Sequence, residues 1–168
     1  QPATVLVSRI VDATSGLVAY WPLDVVNGNN LTPDVINGNA LTLVNMDNSN
    51  VVPGRRGNAL SFNGVDELAV RRHADGSSVG LPVYRHAEFT VALWVNGIGN
   101  AQASTPVNGD RRVFSEASTT NGNPLFNLGT DNANASYSGD VYVRNDAGSV
   151  GIDHRKTVAT PFDGAWHH

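Results

Sequence analysis

The feature that most constrains this chain is a repeated Asn-Gly dipeptide, which separates short runs of alternating apolar and polar residues. A tight type I′ hairpin turn needs positive φ at two successive residues, and Asn-Gly adopts that conformation readily. Turns of this kind between alternating runs predict many short antiparallel strands. The dipeptide occurs at Asn27-Gly28, Asn37-Gly38, Asn63-Gly64, Asn96-Gly97, Asn108-Gly109 and Asn121-Gly122.

The run EFTVALWV shows the alternation clearly. Because successive side chains of a strand point to opposite faces, Val91, Leu93 and Val95 share one predicted face and Trp94 lies on the other. We find no segment of a dozen residues that combines a clean helical period with both caps. The sequence therefore predicts an all-β sandwich or barrel.

Composition narrows the functional classes. The 168 residues suffice for one domain with its own core, and the net charge is −4. Three Arg-Arg pairs are isolated among apolar and polar residues, so we interpret them as solvated strand or loop ends and predict no nucleic-acid partner. The chain has no cysteine and no apolar run of membrane-spanning length, which excludes disulfides and argues against membrane insertion. The pairs are Arg55-Arg56, Arg71-Arg72 and Arg111-Arg112.

Five phrases occur in an order that resembles a known family. They are GLVAYWPLD, NGNALTLVN, VPGRRGNALSFNGVDELAV, FTVALWV and DGAWHH, and they run from Gly16 to His168. Together they resemble the laminin G-like domains of the concanavalin A-like superfamily. The resemblance implies one domain over residues 1–168, with residues 1–15 as an N-terminal strand or a linker.

The fold that the resemblance implies is a two-sheet antiparallel jelly-roll β-sandwich of the concanavalin A-like type. In that family the phrase DGxWHH leads into further strands, so we expect the C-terminal strands to be missing after residue 168. The implied function is a non-catalytic extracellular recognition or adhesion module, binding a glycan or a protein, within a larger secreted or cell-surface protein. The alternative is a structural or accessory subunit whose open sheet edge pairs with a strand of another chain.

A structural Ca²⁺ is the cofactor that the resemblance implies, because many laminin G-like domains hold one beside a loop rich in Asp and Asn. The corresponding stretch here is LDVVNGNNLTPDVINGN. By position, Asp24, Asp34, Asn37 and Asn39 are the expected ligands, and carboxylate and amide oxygens suit calcium. The same residue types also build turns without any metal, which leaves the two interpretations open.

Glycan binding requires an aromatic ring that stacks on a sugar beside groups that hydrogen-bond its hydroxyls. In the run DVYVRND, Val141 and Val143 share one face while Tyr142 and Arg144 share the other. Tyr142 and Arg144, together with Trp94, are therefore the predicted ligand-binding residues. Two alternatives stay open: burial statistics for tryptophan favour core or inter-sheet packing of Trp94, and a Tyr-Arg pair on a strand is also ordinary cross-strand packing. Trp21 and Trp166 are interpreted as packing residues.

Catalysis is not expected. Relatives on the fold that hydrolyse glucans use the pattern ExDxxE, which sets two carboxylates about 5 Å apart on one face of a strand. Glu67, Glu88 and Glu116 never occur in that spacing. The chain also has no GxSxG element for a nucleophilic serine. We therefore predict that the chain is not an enzyme.

Overall fold

The computed structural model describes residues 15–71, 80–83, 86–98, 112–117, 124–130, 139–143 and 153–168. Within these ranges the regular structure consists of β-strands and one 3₁₀ turn at Asn48–Asn50. The all-β class predicted from the sequence is confirmed. No helix in the described ranges has the length and apolarity needed to cross a membrane.

The strands are numbered in chain order. They are β1 (Leu31–Thr32), β2 (Leu41–Val44), β3 (Val51–Pro53), β4 (Asn58–Leu60), β5 (Leu68–Val70), β6 (Val95–Ile98), β7 (Arg112–Ala117), β8 (Pro124–Thr130), β9 (Gly139–Val143), β10 (Asp153–Lys156) and β11 (Asp163–His167).

These strands form antiparallel sheets. One sheet has the order β1-β2-β5 and a second has the order β10-β9-β8-β7, while β11 pairs with β6 and β3 pairs with β4. Every pairing is antiparallel. The arrangement is consistent with a β-sandwich, in which the apolar faces of two sheets pack against each other.

A small apolar cluster joins the first sheet to the β3–β4 hairpin. Leu43 of β2, Met46 and Leu60 of β4 are at most 8% exposed and form its centre. Full burial of one such side chain stabilises the fold by about 1.5–3 kcal/mol. Half-buried residues close the cluster from the sides, namely Leu23, Val26, Val51 and Ala69.

The four-stranded sheet has one apolar and one polar face. The pairing sets Phe114, Leu128 and Val141 in one row across β7, β8 and β9. Next to that row the ring of Phe126 meets Phe89 edge to face, with centroids 5.2 Å apart. Ser115, Asn127 and Tyr142 form a row of the opposite parity, and therefore lie on the other face. The polar face is the one that carries the predicted residue Tyr142.

Around residue 95 the predicted alternation is confirmed, but the extent of the strand and one predicted turn need correction. In EFTVALWV, Val91, Leu93 and Val95 are half-buried and Trp94 is exposed, as the alternation predicts. Hydrogen-bonded strand, however, begins only at Val95, where β11 provides a partner. The turn predicted at Asn96-Gly97 is wrong, since both residues lie inside β6. Cross-strand pairing overrides the local turn preference of this dipeptide.

Candidate functional site

The predicted calcium loop is organised around one buried carboxylate. Asp34 is 8% exposed, and its two carboxylate oxygens accept four backbone hydrogen bonds. Oδ1 accepts from the N–H of Tyr20 at 2.8 Å and of Ile36 at 3.0 Å. Oδ2 accepts from the N–H of Asn37 at 3.2 Å and of Asn39 at 3.0 Å. A carboxylate has about four lone-pair positions, so these donors take up the whole acceptor capacity of Asp34.

The same contacts set the charge state of Asp34. Burial by itself raises the pKa of the carboxyl, but the N–H groups of Tyr20, Ile36, Asn39 and Asn37 outweigh it. The pKa of Asp34 is therefore held below its ordinary value of 3.8. Hydrogen bonds to the charged form favour ionisation, which makes this carboxylate a stable anion inside the loop.

The other two loop residues predicted as ligands bind the protein itself. Asn37 donates its side-chain N–H to the carbonyl of Val18 at 2.7 Å. Asn39 is 1% exposed, and its backbone carbonyl accepts the indole N–H of Trp21 at 2.7 Å. Trp21 is half-buried, and this hydrogen bond fixes its ring against residue 39. The loop is a hydrogen-bonded scaffold that joins the segment 18–21 to residues 34–39.

Asp24 lies at a different contact, against the β3–β4 hairpin. Its Oδ1 accepts from the backbone N–H of Asn58 at 2.7 Å, and its carbonyl accepts from the side-chain amide of Asn58 at 3.1 Å. A Cβ atom on Gly57 would lie 2.6 Å from Oδ1 of Asp24. Asp24 therefore fixes the hairpin where its turn meets β4.

These contacts bear on the predicted calcium ligands. Asp24 is engaged with Asn58, whereas Asp34 is surrounded by N–H donors, whose positive ends would face an incoming cation. The arrangement does not fit a calcium site built from Asp24, Asp34, Asn37 and Asn39. Calcium binding itself stays a prediction from the sequence.

Trp94 lies at the surface inside a cluster of aromatic and cationic groups. Its side chain is 44% exposed, although tryptophan is highly buried on average. The guanidinium carbon of Arg55 lies 5.5 Å from the centroid of the indole, a cation–π contact. The ring of His168 lies 5.0 Å from the Trp94 ring centroid, tilted by 49°. We call Arg55, Trp94 and His168 the indole cluster.

The pairing of β6 with β11 explains how the cluster assembles. Trp166 pairs with Asn96, and His167 pairs with Val95, so the next position places His168 opposite Trp94. Side chains two residues apart on a strand share a face, and directly paired side chains do so as well. Trp94, Asn96, Trp166 and His168 therefore share one face. Trp166, predicted as a packing residue, is half-buried there.

His167 belongs to the opposite face and pairs with an acid. Its Nε2 lies 2.9 Å from Oδ1 of Asp163, which also accepts the N–H of Ala165 at 2.9 Å. The hydrogen bond from His167, followed by that from Ala165, lowers the pKa of Asp163. Asp163 is therefore already paired within β11.

Tyr142 lies apart from Trp94, in a different sheet. It pairs with Asn127 of β8 and His154 of β10 on the polar face. A shallow depression there has a volume of about 10 Å³, no more than one water molecule needs. This depression by itself is too small for a sugar ring. Arg144, predicted to act with Tyr142, lies outside the described residues.

An open groove of about 520 Å³ borders the β3–β4 hairpin at Val51 and Asn58. Its walls combine the Asp24 carboxylate and two asparagines with exposed apolar valine surface. The sequence analysis did not single out this groove. Its lining residues are Asp24, Val25, Val26, Asn48, Val51 and Asn58.

Arg55 is the member of the indole cluster whose role sequence reasoning missed. It was interpreted as a solvated loop end, and it does lie in the loop between β3 and β4. The available signal was the pattern GRRG, because glycines on both sides of an arginine pair predict a tight turn that presents the arginines. The partner of Arg55 could not be read from that pattern.

Comparison with protein-family models, with curated proteins and with solved structures finds no match for this chain. The resemblance to laminin G-like domains therefore rests on the five sequence phrases.

Proposed function

We propose that the chain is a non-catalytic carbohydrate-recognition module, part of a larger secreted or cell-surface protein. The proposal includes the laminin G-like jelly-roll topology, whose order of phrases this chain follows. The observation that carries it is the exposed indole of Trp94, which contacts Arg55 of the β3–β4 hairpin and His168, the residue that follows β11. An exposed aromatic ring is the surface on which a sugar can stack.

The physical reason is the shape of a sugar. A pyranose has an apolar face of C–H groups that stacks on an aromatic ring, and hydroxyls around its edge that need hydrogen-bond partners. Trp94 supplies the ring. Arg55, Asn96 and His168 supply donors and acceptors around it. Tyr142 offers a second aromatic surface on the four-stranded sheet, separate from the first.

The test is a glycan array followed by calorimetry on the polysaccharide that gives the strongest signal, with the variant Trp94→Ala. We expect the affinity to fall at least about tenfold, which corresponds to roughly 1.4 kcal/mol. Tyr20→Ala is the matched control, because Tyr20 is another exposed aromatic residue, 53% accessible, and lies on the Asp34 loop. Equal losses in both variants would indicate nonspecific adhesion and would contradict the proposal.

A structural role is the second candidate, and a specific observation favours it. In the described part of the chain, β6 and β11 pair only with each other, so each leaves one edge without a strand partner. Open edges accept strands from other chains. Hydrogen exchange on the native secreted protein tests this. Slow exchange of the outer-edge amides, together with a second chain at fixed stoichiometry, would favour assembly over glycan binding.

A further inference from the structure

The hairpin tip that carries Arg55 has a backbone that few residues other than glycine can form. The N–H of Gly54 donates to the carbonyl of Gly57 at 2.9 Å, which closes a four-residue turn with Arg55 and Arg56 at its centre. Gly57 has φ +60°, and a Cβ on Gly54 would lie 2.5 Å from the carbonyl oxygen of Asn58. The backbone thus determines where the two arginines leave the hairpin.

Asp24 anchors the tip from outside. Its carboxylate accepts the N–H of Asn58 at 2.7 Å, directly after the turn. Through this hydrogen bond on Oδ1, Asp24 helps to hold the hairpin in place. Arg55 instead lies over an indole, 5.5 Å from its centroid.

A guanidinium stacked on an aromatic ring keeps its N–H edges available to a ligand. Those edges form a planar fork that matches the two oxygens of a carboxylate, and such charge-assisted pairs are stronger than neutral hydrogen bonds. A sugar that stacks beside Arg55 gains most if it carries a carboxylate on its ring. A neutral sugar obtains only the weaker bonds to its hydroxyls.

The net negative charge of the chain disfavours nonspecific binding of acidic polymers. The net charge is −4, so a polyanion is repelled by the molecule on average. Arg55 places a positive charge beside the indole, and Asp163 of β11 is already paired to His167. Binding of an acidic polymer to this chain therefore depends on a specific site.

We propose that the indole cluster recognises uronic acids, with the sugar ring on Trp94 and its carboxylate on the guanidinium of Arg55. This inference rests on the proposed carbohydrate function and names the class of sugar. Asn96, on the same face as Trp94, lies in position to hydrogen-bond a ring hydroxyl. The occupant is an extracellular polysaccharide that contains carboxylated pyranoses.

The experiment compares matched polymers by calorimetry at low salt and at physiological salt. The probes are polygalacturonate, its methyl ester, which has the same backbone without the charge, and dextran sulfate. We expect wild type to bind polygalacturonate at least about tenfold more tightly than the ester. Tighter binding of dextran sulfate than of polygalacturonate would overturn the carboxylate assignment in favour of general anion binding.

Variants assign the effect to residues. Arg55→Gln should lose about tenfold in affinity for polygalacturonate and leave the ester unaffected, whereas Arg56→Gln, with the same charge change one residue away, should lose less than about threefold. Arg55→Lys keeps the charge without the fork and should fall between them. Equal losses for Arg55→Gln and Arg56→Gln would overturn the inference.

The outcomes also separate this inference from the proposed function. Binding of the ester with the same affinity as polygalacturonate, lost in Trp94→Ala, would retain carbohydrate recognition and overturn the preference for uronic acids. If Trp94→Ala binds polygalacturonate as tightly as wild type, the sugar does not stack on Trp94, and the indole cluster is not the binding site. Binding of no polysaccharide on the array would overturn the proposed function, and the inference with it.

Discussion

The Asp34 loop and the indole cluster use polar residues in opposite ways. In the loop, the Asp34 carboxylate is buried and each of its oxygens accepts two backbone hydrogen bonds. In the indole cluster, Arg55 and His168 surround a ring that is 44% exposed. The loop directs its hydrogen bonds inward, whereas the cluster presents its charged and aromatic groups to solvent.

The Asp34 loop uses its polar groups inside the fold, whereas the indole cluster leaves groups accessible to a ligand. A segment rich in Asp and Asn attracts a metal interpretation, yet here its acceptors stabilise the backbone that they belong to. An unpaired backbone N–H in a buried loop is costly, so such a loop needs internal acceptors before it needs a ligand. The indole of Trp94 contacts Arg55 and His168 and still leaves 44% of its surface accessible, so a ligand could reach the ring.

The largest expected effect is on stability, from Asp34→Asn. The amide oxygen can accept at one side, but the NH₂ group then faces N–H donors and leaves them unsatisfied. We expect a loss of about 2–4 kcal/mol in the free energy of unfolding, measured by urea denaturation. Asp47→Asn is the control, because Asp47 caps the exposed 3₁₀ turn and Asn is an equally good cap. Equal losses would contradict the scaffold role of Asp34.

The second effect concerns Gly57, in the hairpin tip that carries Arg55 of the indole cluster. Gly57→Ala combines the strain of φ +60° with a Cβ 2.6 Å from the Asp24 carboxylate, and we expect a loss of about 2–3 kcal/mol. Gly38→Ala has similar strain, at φ +73°, with nothing within 4 Å of the new Cβ. It should lose about 1 kcal/mol and leave polysaccharide binding unchanged. Gly57→Ala should also weaken binding, because it displaces the tip that carries Arg55.

The third effect is on the pH dependence of stability. The pKa of Asp34 is lower in the folded chain than its ordinary value of 3.8, so the folded state binds this proton less tightly than the unfolded state. Stability from Asp34 is therefore fully present well above pH 4 and is lost as the pH falls through the folded pKa. Thermal melts from pH 7 to pH 3 should show a shallower decline in Asp34→Asn than in wild type. If the melting temperatures of wild type and Asp34→Asn decline in parallel with pH, ionised Asp34 does not stabilise the fold.

The smallest expected effect is that of calcium. Because four N–H groups saturate Asp34, we expect the melting temperatures in millimolar Ca²⁺ and in chelator to agree within about 1 °C. A bound ion would raise the melting temperature, since a ligand of the folded state stabilises it. A rise of several degrees that Asp24→Asn removes would restore the calcium site predicted from the sequence and contradict the scaffold interpretation.

Some of this was predictable from local pattern alone. The alternation of Val91, Leu93 and Val95 against Trp94 follows from the geometry of an extended backbone, which every residue of the run experiences in the same way. The burial of residues 91–94 alternates in this way although β6 begins only at Val95. The face on which Trp94 lies, opposite to Val95, was therefore predictable without a partner. Its exposure was not, because burial statistics for tryptophan favour a packed position.

What depended on distant residues was not predictable in this way. Asn96-Gly97 has the composition of a turn, but β11 pairs across it, and Gly97 then packs near Phe162. Whether Asp34 binds a metal or four N–H groups depends on where Tyr20 and Asn39 lie. The indole cluster joins Arg55 at a hairpin tip to Trp94, which precedes β6, and to His168, which follows β11.

The all-β class, the faces of the strands and the available residue types follow from the sequence. Turn preference and period-two alternation act over a few residues, so they can be recognised locally. Which polar groups are hydrogen-bonded inside the fold, and which are accessible to solvent, depends on the tertiary structure. The physical reason is that hydrogen-bond satisfaction, stacking and cross-strand pairing are settled by contacts between residues far apart in the chain, and those contacts override local preference.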